Sequence, residues 1–402
     1  MRIKVGDIGS RLIVFLINPF AAFLLSIVNI YKRSSRVIIF LWFVLFGFMF
    51  LPFEVTGDSY RYYQEFTNYQ PYQFSSIIGE YFSFDSNVKD LYSSFSFWLI
   101  KSLTDNYHFL FAFWAIVFGF FYIKSLKYAT NLFNNEYKLL SYILILFFMF
   151  SNPIYNINGV RFWTASWIGV YCAFKIFHEN KYQYILLALL TIFVHGSFII
   201  YLIILLLGIC LQRNYKFVFI LYALSFFLTF LSVFDVLDSF RDGLPTFIGN
   251  YIDSYMREDV LAEKQKTIDS LPLYARVFHY APHYFINILC SILLFEHYKR
   301  RINLRGSKIT IFMLLVLSIS NISSLIAPAI SVRFIQLSIP IIVVLWMLNI
   351  ETMSRYKIVV MCIPLVFSYS IYYWLKDMNG ISDLYLYILP TPISVLKNLY
   401  MF

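Results

Sequence analysis

The run Asp58-Ser59-Tyr60-Arg61-Tyr62-Tyr63 puts a carboxylate, a guanidinium and three phenols just past an apolar segment that ends at Phe53. A carboxylate can take a proton or hold sugar hydroxyls. A guanidinium grips phosphate through two parallel hydrogen bonds, and phenol rings offer faces and hydroxyls to sugars. Asp58 and Arg61, at i and i+3, equally well form a solvated surface pair that stabilises little. An aromatic belt at a membrane surface accounts for part of the cluster Tyr60, Tyr62, Tyr63, Tyr69 and Tyr72.

Three further positions carry ionisable groups in or beside apolar runs. Arg161 follows Asn156-Ile157-Asn158-Gly159-Val160 at the start of a hydrophobic segment, where helix amides and dipole attract anions. A snorkelling arginine is the plain alternative. Arg333 repeats the arrangement after Pro328-Ala329-Ile330-Ser331-Val332. His195 interrupts a long apolar run at His195-Gly196-Ser197 and is the natural proton acceptor near neutral pH, or else an ordinary packed histidine. Arg276, His279 and His283 share one helix face. Two histidines at i, i+4 suit a metal, but Pro282 between them and the lack of a companion carboxylate favour substrate positioning or packing. Ionisable groups are costly in hydrocarbon and persist there mainly where they line a cavity or bind a charged ligand. His108, His178 and His297 read as interfacial.

The elements that must hold these groups follow from composition. The chain has 402 residues, 60% hydrophobic, 21% aromatic and 13% charged, with mean hydropathy +0.69. Soluble domains carry about 25% charged residues, so the chain is an all-α, polytopic membrane protein. Apolar runs at 11–30, 37–53, 106–123, 139–153, 160–177, 183–211, 217–234, 279–296, 309–328, 332–350 and 357–375 give eleven or twelve transmembrane segments in one domain, 1–402. The net charge of +10 sits in short loops, as positive-inside topology requires, and needs no nucleic acid. Lys32/Arg33/Arg36, Lys124/Lys127/Lys138, Lys175/Lys181, Arg213/Lys216, Lys299–Lys308 and Arg355/Lys357 are expected on the cytoplasmic side. The polar stretches 54–105 and 235–278 then form large extracytoplasmic loops. Within them, 90–105 suits a helix lying on the outer surface and 251–270 a surface helix over the cavity. The tail after Lys376 is expected outside.

Basic clusters flank 182–212 on both sides, whereas one spanning helix would separate them. Two short helices meeting at His195 return the chain to its starting side; a single tilted helix is the alternative. The N-terminus is ambiguous. Loop parity puts it outside, while Arg2, Lys4 and Arg11 favour the inside, in which case 11–30, broken at Asn18-Pro19, does not fully span. It reads as a retained helix without a cleavage site. Cys172, Cys210, Cys290 and Cys362 are scattered and support neither disulfides nor zinc. No internal repeat and no glycine-rich phosphate loop is apparent.

Asp58-x-x-x-Tyr62-Tyr63, the Asn158-Gly159-Val160-Arg161 helix start and the His195-Gly196-Ser197 break resemble the EpsG-like branch of the bacterial Wzy-type polysaccharide polymerases. The resemblance implies a GT-C-like fold in the cytoplasmic (inner) membrane with an active site facing outward. The implied substrates are glycans on undecaprenyl diphosphate; a chain-length regulator and a flippase of the same pathway are the implied partners. It further implies that a sugar hydroxyl attacks the donor's anomeric carbon and expels the lipid diphosphate, without a metal or other cofactor. Arg61, Arg161, Arg276 and Arg333 would bind diphosphate, His195 or Asp58 would be the base, and Tyr60, Tyr62, Tyr63, His279 and His283 would contact sugar. Rival functions are a lipid-linked oligosaccharide flippase, which should show two related halves; an O-antigen ligase or lipid-monophosphate glycosyltransferase, with a larger second outer loop or an early paired-acid motif; and a passive scaffold.

Overall fold

The computed structural model describes residues 5–52, 58–70, 74–82, 90–229, 270, 272–304, 307–326, 328–368 and 387–400. Every extended element among them is helical. Four helical runs are long and apolar enough to cross a membrane: Tyr107–Asn131, Lys138–His178, Lys308–Leu325 and Pro328–Leu348. Shorter apolar helices surround them, so the chain is a multi-pass helical membrane protein.

The N-terminal segment is two short helices, α1 (Val5–Ile17) and α2 (Pro19–Val28). Asn18 caps α2 by accepting from the Ala21 amide at 2.8 Å, and Pro19 occupies the first helical turn, where its missing N–H is harmless. Asp7 and Arg11 bond to Ser34 and Ser35 at the start of α3 (Arg33–Phe48), and the Asn29 carbonyl accepts from Ser35. Both ends of the α1–α2 pair therefore lie at one end of the bundle, and 11–30 does not span.

α3 packs against α7 (Tyr107–Asn131), with Gly47 at the closest approach. A Cβ there would lie 2.5 Å from the Phe111 carbonyl oxygen and from Ala115 Cβ. Between them come α4 (Asp58–Asn68), α5 (Phe74–Tyr81) and α6 (Leu91–Lys101). α8 (Lys138–Phe150) leads through a 3-10 turn, Ile154–Gly159, into α9 (Val160–Ala173).

The chain next forms α10 (Ile185–Val194) and α11 (Phe198–Cys210), broken at His195, whose backbone is extended at φ −156°, ψ 117°. The helices are about 15 and 20 Å long at about 1.5 Å per residue. The Tyr182 hydroxyl donates to Gln212 at 3.4 Å, so both ends of the segment meet and the broken-helix expectation holds. α12 (Tyr215–Leu228), α13 (Leu273–Tyr298), α14 (Lys308–Ile326) and α15 (Pro328–Leu348) follow. Short helical pieces run from Ile350 to Val366, and α16 (Thr391–Tyr400) ends the described chain. α16 folds back on the bundle, where Thr391 donates to the Phe15 carbonyl at 2.7 Å. Of 251–270 only Ser270 is described. Most of 235–278, with Asp235, Asp238 and Asp253, lies outside the described residues, as does Tyr72.

Hydrocarbon offers backbone and side chains no alternative hydrogen-bond partner. Four of the core's large polar side chains accordingly donate to carbonyls: Tyr122 to Met149 at 3.2 Å, Trp167 to Asn152 at 3.1 Å, Tyr201 to Gly169 at 2.6 Å and Trp346 to Leu289 at 3.2 Å. Asn287 of α13 and Asn321 of α14 exchange side-chain hydrogen bonds of 3.0 and 3.2 Å, and Asn321 also reaches Ser225 of α12 at 3.3 Å. Such bonds join helices that gain nothing from hydrophobic burial against lipid. Leu186, Ile203, Phe217 and Leu224 point outward, as a lipid-facing surface requires.

The two ends of the bundle differ. One is lysine-rich: Lys308 donates to Asn180 and to the Tyr182 hydroxyl, each at 2.7 Å, and Lys175 and Lys181 converge on Glu179. Asn180 takes φ 57° at this turn, a region asparagine tolerates. Despite partial burial, the hydrogen bonds from Lys175, Lys181 and Tyr128 hold the Glu179 carboxyl down to about 2. α4, Arg161, His195 and Arg333 gather at the other end.

Candidate active site

Helix α4 is amphipathic, burying Ser59, Tyr62 and Phe66 at helical spacing while Arg61 and Glu65 stay on its outer face. The Asn158 side chain accepts from the Ser59 amide at 3.0 Å, tying the first turn of α4 to the 3-10 turn before α9. Arg161, one residue into α9, donates through Nη1 to Asp90, which is 2% exposed. Asp90 also caps α6, accepting from the Ser93 amide at 3.2 Å and hydroxyl at 2.9 Å. α6 packs one face on the bundle, with Ser96, Phe97 and Ile100 buried.

The guanidiniums of Arg61 and Arg161 both lie over the Tyr62 ring, 5.3 and 5.2 Å from its centroid. With 1% exposure it has no face left for a sugar, which corrects its expected role. Its burial pushes the hydroxyl up to about 12, so it stays protonated. Tyr60 and Tyr63 remain half-buried, with Tyr63 edge-on to Tyr107. Arg61 pairs with Asp58 at 3.1 Å and Glu65 at 3.6 Å, all about half exposed. The surface pair is therefore the arrangement observed. Partial burial raises the Glu65 carboxyl above its ordinary value, against the opposing pull of Arg61 and Arg161.

Phe162 joins the second half of the site. Arg333 of α15 stands over its ring at 4.7 Å, and the His195 ring meets it edge-on at 5.4 Å. The Ser197 amide donates to His195 Nδ1 at 3.3 Å and the Ser197 hydroxyl lies 2.7 Å from the same nitrogen. Nδ1 is then an acceptor, and the neutral ring carries its proton on Nε2. In that tautomer His195 offers the site a donor. The lone pair that a base would need is turned toward Ser197.

On α13, His283 approaches the Ser331 hydroxyl at 3.4 Å, two residues before Arg333. Arg276 lies two turns away, beside a groove with Tyr280 and Tyr284. The helix continues through Pro282, and the side chain of His279 lies outside the described residues. Arg276 is not brought into contact with the Arg161 cluster among the described residues. No three His, Cys, Asp or Glu side chains converge as metal ligands among the described residues.

A model of the EpsG family matches residues 36–389. The chain belongs to the EpsG family. The match contains every residue of the site just described, from Asp58 to Arg333. The EpsG-family assignment makes this a polysaccharide polymerase-type membrane protein. Neither a curated protein nor a solved structure matches the chain.

Two members of this EpsG-family site carry no signal of their own in the sequence: Asp90 is one acid in a polar stretch and Phe162 one apolar residue among many, whereas Asn158 belongs to the Asn-Gly-Val-Arg helix start. Glu65, four residues after Arg61, was open to detection as an i, i+4 partner.

Proposed function

We propose that this EpsG-family protein joins oligosaccharide repeat units carried on undecaprenyl diphosphate and releases undecaprenyl diphosphate. What supports the reading is Arg333 over the Phe162 ring, which the His195 ring meets edge-on. Phe162 is next along α9 from Arg161, whose guanidinium shares the Tyr62 ring with Arg61 on the helix bearing Asp58 and Glu65. The acceptor hydroxyl forms a bond to the donor's anomeric carbon. The bond from that carbon to the diphosphate oxygen breaks, and its electron pair leaves with the diphosphate. The hydroxyl proton passes to a carboxylate of α4, Asp58 or Glu65. Arg161 and Arg333 meet the developing negative charge, and His195 Nε2–H donates to it. Preorganised donors of this kind contribute most where water is excluded.

The lysine-rich end fits the cytoplasmic side, so this site faces outward, where units delivered by a flippase are joined and a chain-length regulator would act. Tyr60 and Tyr63, half-buried beside α4, are the rings best placed for sugar; Arg276 and His283 belong to the adjoining wall of α13.

The test uses purified full-length protein with undecaprenyl-diphosphate-linked repeat units. A ladder of products should appear, with one undecaprenyl diphosphate released per new glycosidic bond. Movement of the lipid-linked unit across a bilayer with no joining would replace this reading by the flippase.

A further inference from the structure

The lysine-rich end carries a groove that the polymerisation site does not use. It runs between the start of α3 and the end of α7 and encloses about 1260 Å³. Lys32, Arg33, Arg36, Lys124 and Lys127 rim its mouth. The groove's described carboxylate, Asp7, is taken by Ser34 at 2.7 Å and Arg11 at 3.2 Å. Arg36 is fixed by donating to Thr130 at 2.8 Å, while Lys32, Arg33, Lys124 and Lys127 are exposed and make no ion pair among the described residues. The walls below the rim are apolar: Val37 and Phe40 on one helix, Phe120 and Ile123 on the other. Lys124 lies over the Phe120 ring at 5.2 Å, so cation and apolar wall are continuous.

Positive-inside topology explains lysines at this end, but it does not explain a cleft that runs from them down along hydrocarbon-facing helices. A soluble anion would match the rim alone, and an acyl chain the wall alone. We infer that the α3–α7 groove binds one anionic phospholipid, its phosphate among Arg36, Lys124 and Lys127 and an acyl chain against Val37, Phe40, Phe120 and Ile123. The lipid belongs to the leaflet at the lysine-rich end and bridges two helices whose other ends hold the site.

Native mass spectrometry of the purified, delipidated full chain tests this by titration with dioleoylphosphatidylglycerol, dioleoylphosphatidylcholine or glycerol phosphate. Phosphatidylglycerol should be retained at one per chain, phosphatidylcholine more weakly, and glycerol phosphate should not compete. A surface cation contributes about fivefold to anionic-lipid binding, so the double variant K124Q/K127Q should bind phosphatidylglycerol about 30-fold more weakly. The double variant K124R/K127R should keep the lipid, which separates loss of charge from misfolding. R355Q/K357Q removes two exposed cations of the same end outside the groove and should change nothing. Equal weakening by R355Q/K357Q would reduce the effect to general surface charge and overturn the site. Equal binding of phosphatidylcholine, or full competition by glycerol phosphate, would overturn it as well.

Discussion

Arg161 was expected to present its guanidinium to phosphate, yet Nη1 is committed to a carboxylate that is 2% exposed. That commitment separates two roles which one substitution at Arg161 would confuse. Asp90→Asn keeps the α6 cap, because asparagine caps as well as aspartate, but removes the charge facing Arg161. Arg161 is itself only 17% exposed, so solvent compensates little. Breaking a buried pair by removing one partner costs about 3 kcal/mol or more. Asp90→Ala should add about 1 kcal/mol for the lost cap. Arg161→Lys retains a cation opposite Asp90, so the protein should melt close to wild type. It loses the planar fork, however, and with it a charged hydrogen bond to phosphate of about 2 kcal/mol, which is about 30-fold in turnover.

The assays are thermal melting in detergent, followed through the protein's 7 tryptophans, and release of undecaprenyl diphosphate by the purified protein. The expected pattern is crossed: Asp90→Asn loses stability, whereas Arg161→Lys keeps stability and loses turnover. A wild-type melting point for Asp90→Asn would refute the buried-pair argument. Full turnover by Arg161→Lys would refute the phosphate role and leave Arg161 as a strut between α6 and α9.

His195→Gln preserves an N–H donor near Nε2 and should keep most turnover, whereas His195→Ala should lose about 100-fold, the usual effect of removing one such donor; equal losses in a pH-independent comparison would restore His195 as base. In a Cys210→Ser background, Gln183→Cys and Asn214→Cys should label from the same side with an impermeant maleimide, and opposite labelling would dissolve the hairpin at His195. Turnover in excess EDTA should match turnover without it, since arginines stand where carboxylate-held Mg²⁺ would otherwise meet the phosphates; a rate abolished by chelator and restored by Mg²⁺ would redirect attention to Asp58 and the acids of 235–269.

What could be read in advance divides along a physical line. The break at His195 was legible because charge on both flanks contradicts a single crossing, a constraint imposed by the membrane and visible in one dimension. The turn at Asn18-Pro19 was legible for a local reason, a cap followed by a residue that starts helices. The Arg161–Asp90 pair was not, because 71 positions separate the partners and each has a sufficient local explanation, one as a snorkelling cation and the other as one acid in a polar stretch. The same holds for Asn287 and Asn321, which look like isolated polar residues until two helices bring them together. Tyr62 shows the subtler failure. Its membership in the Asp58–Tyr63 run was evident, but the spacing of Ser59, Tyr62 and Phe66 already turns it inward, away from any sugar. Two guanidiniums meet its ring instead: Arg61, which answers Asp58 and Glu65 on the exposed face, and Arg161, which answers the buried Asp90. Two arginines with three carboxylates do not make a simple anion trap. The cluster is a nearly balanced polar lattice, so under the proposed reaction Arg161 does not meet the diphosphate alone but together with Arg333, which stands over Phe162.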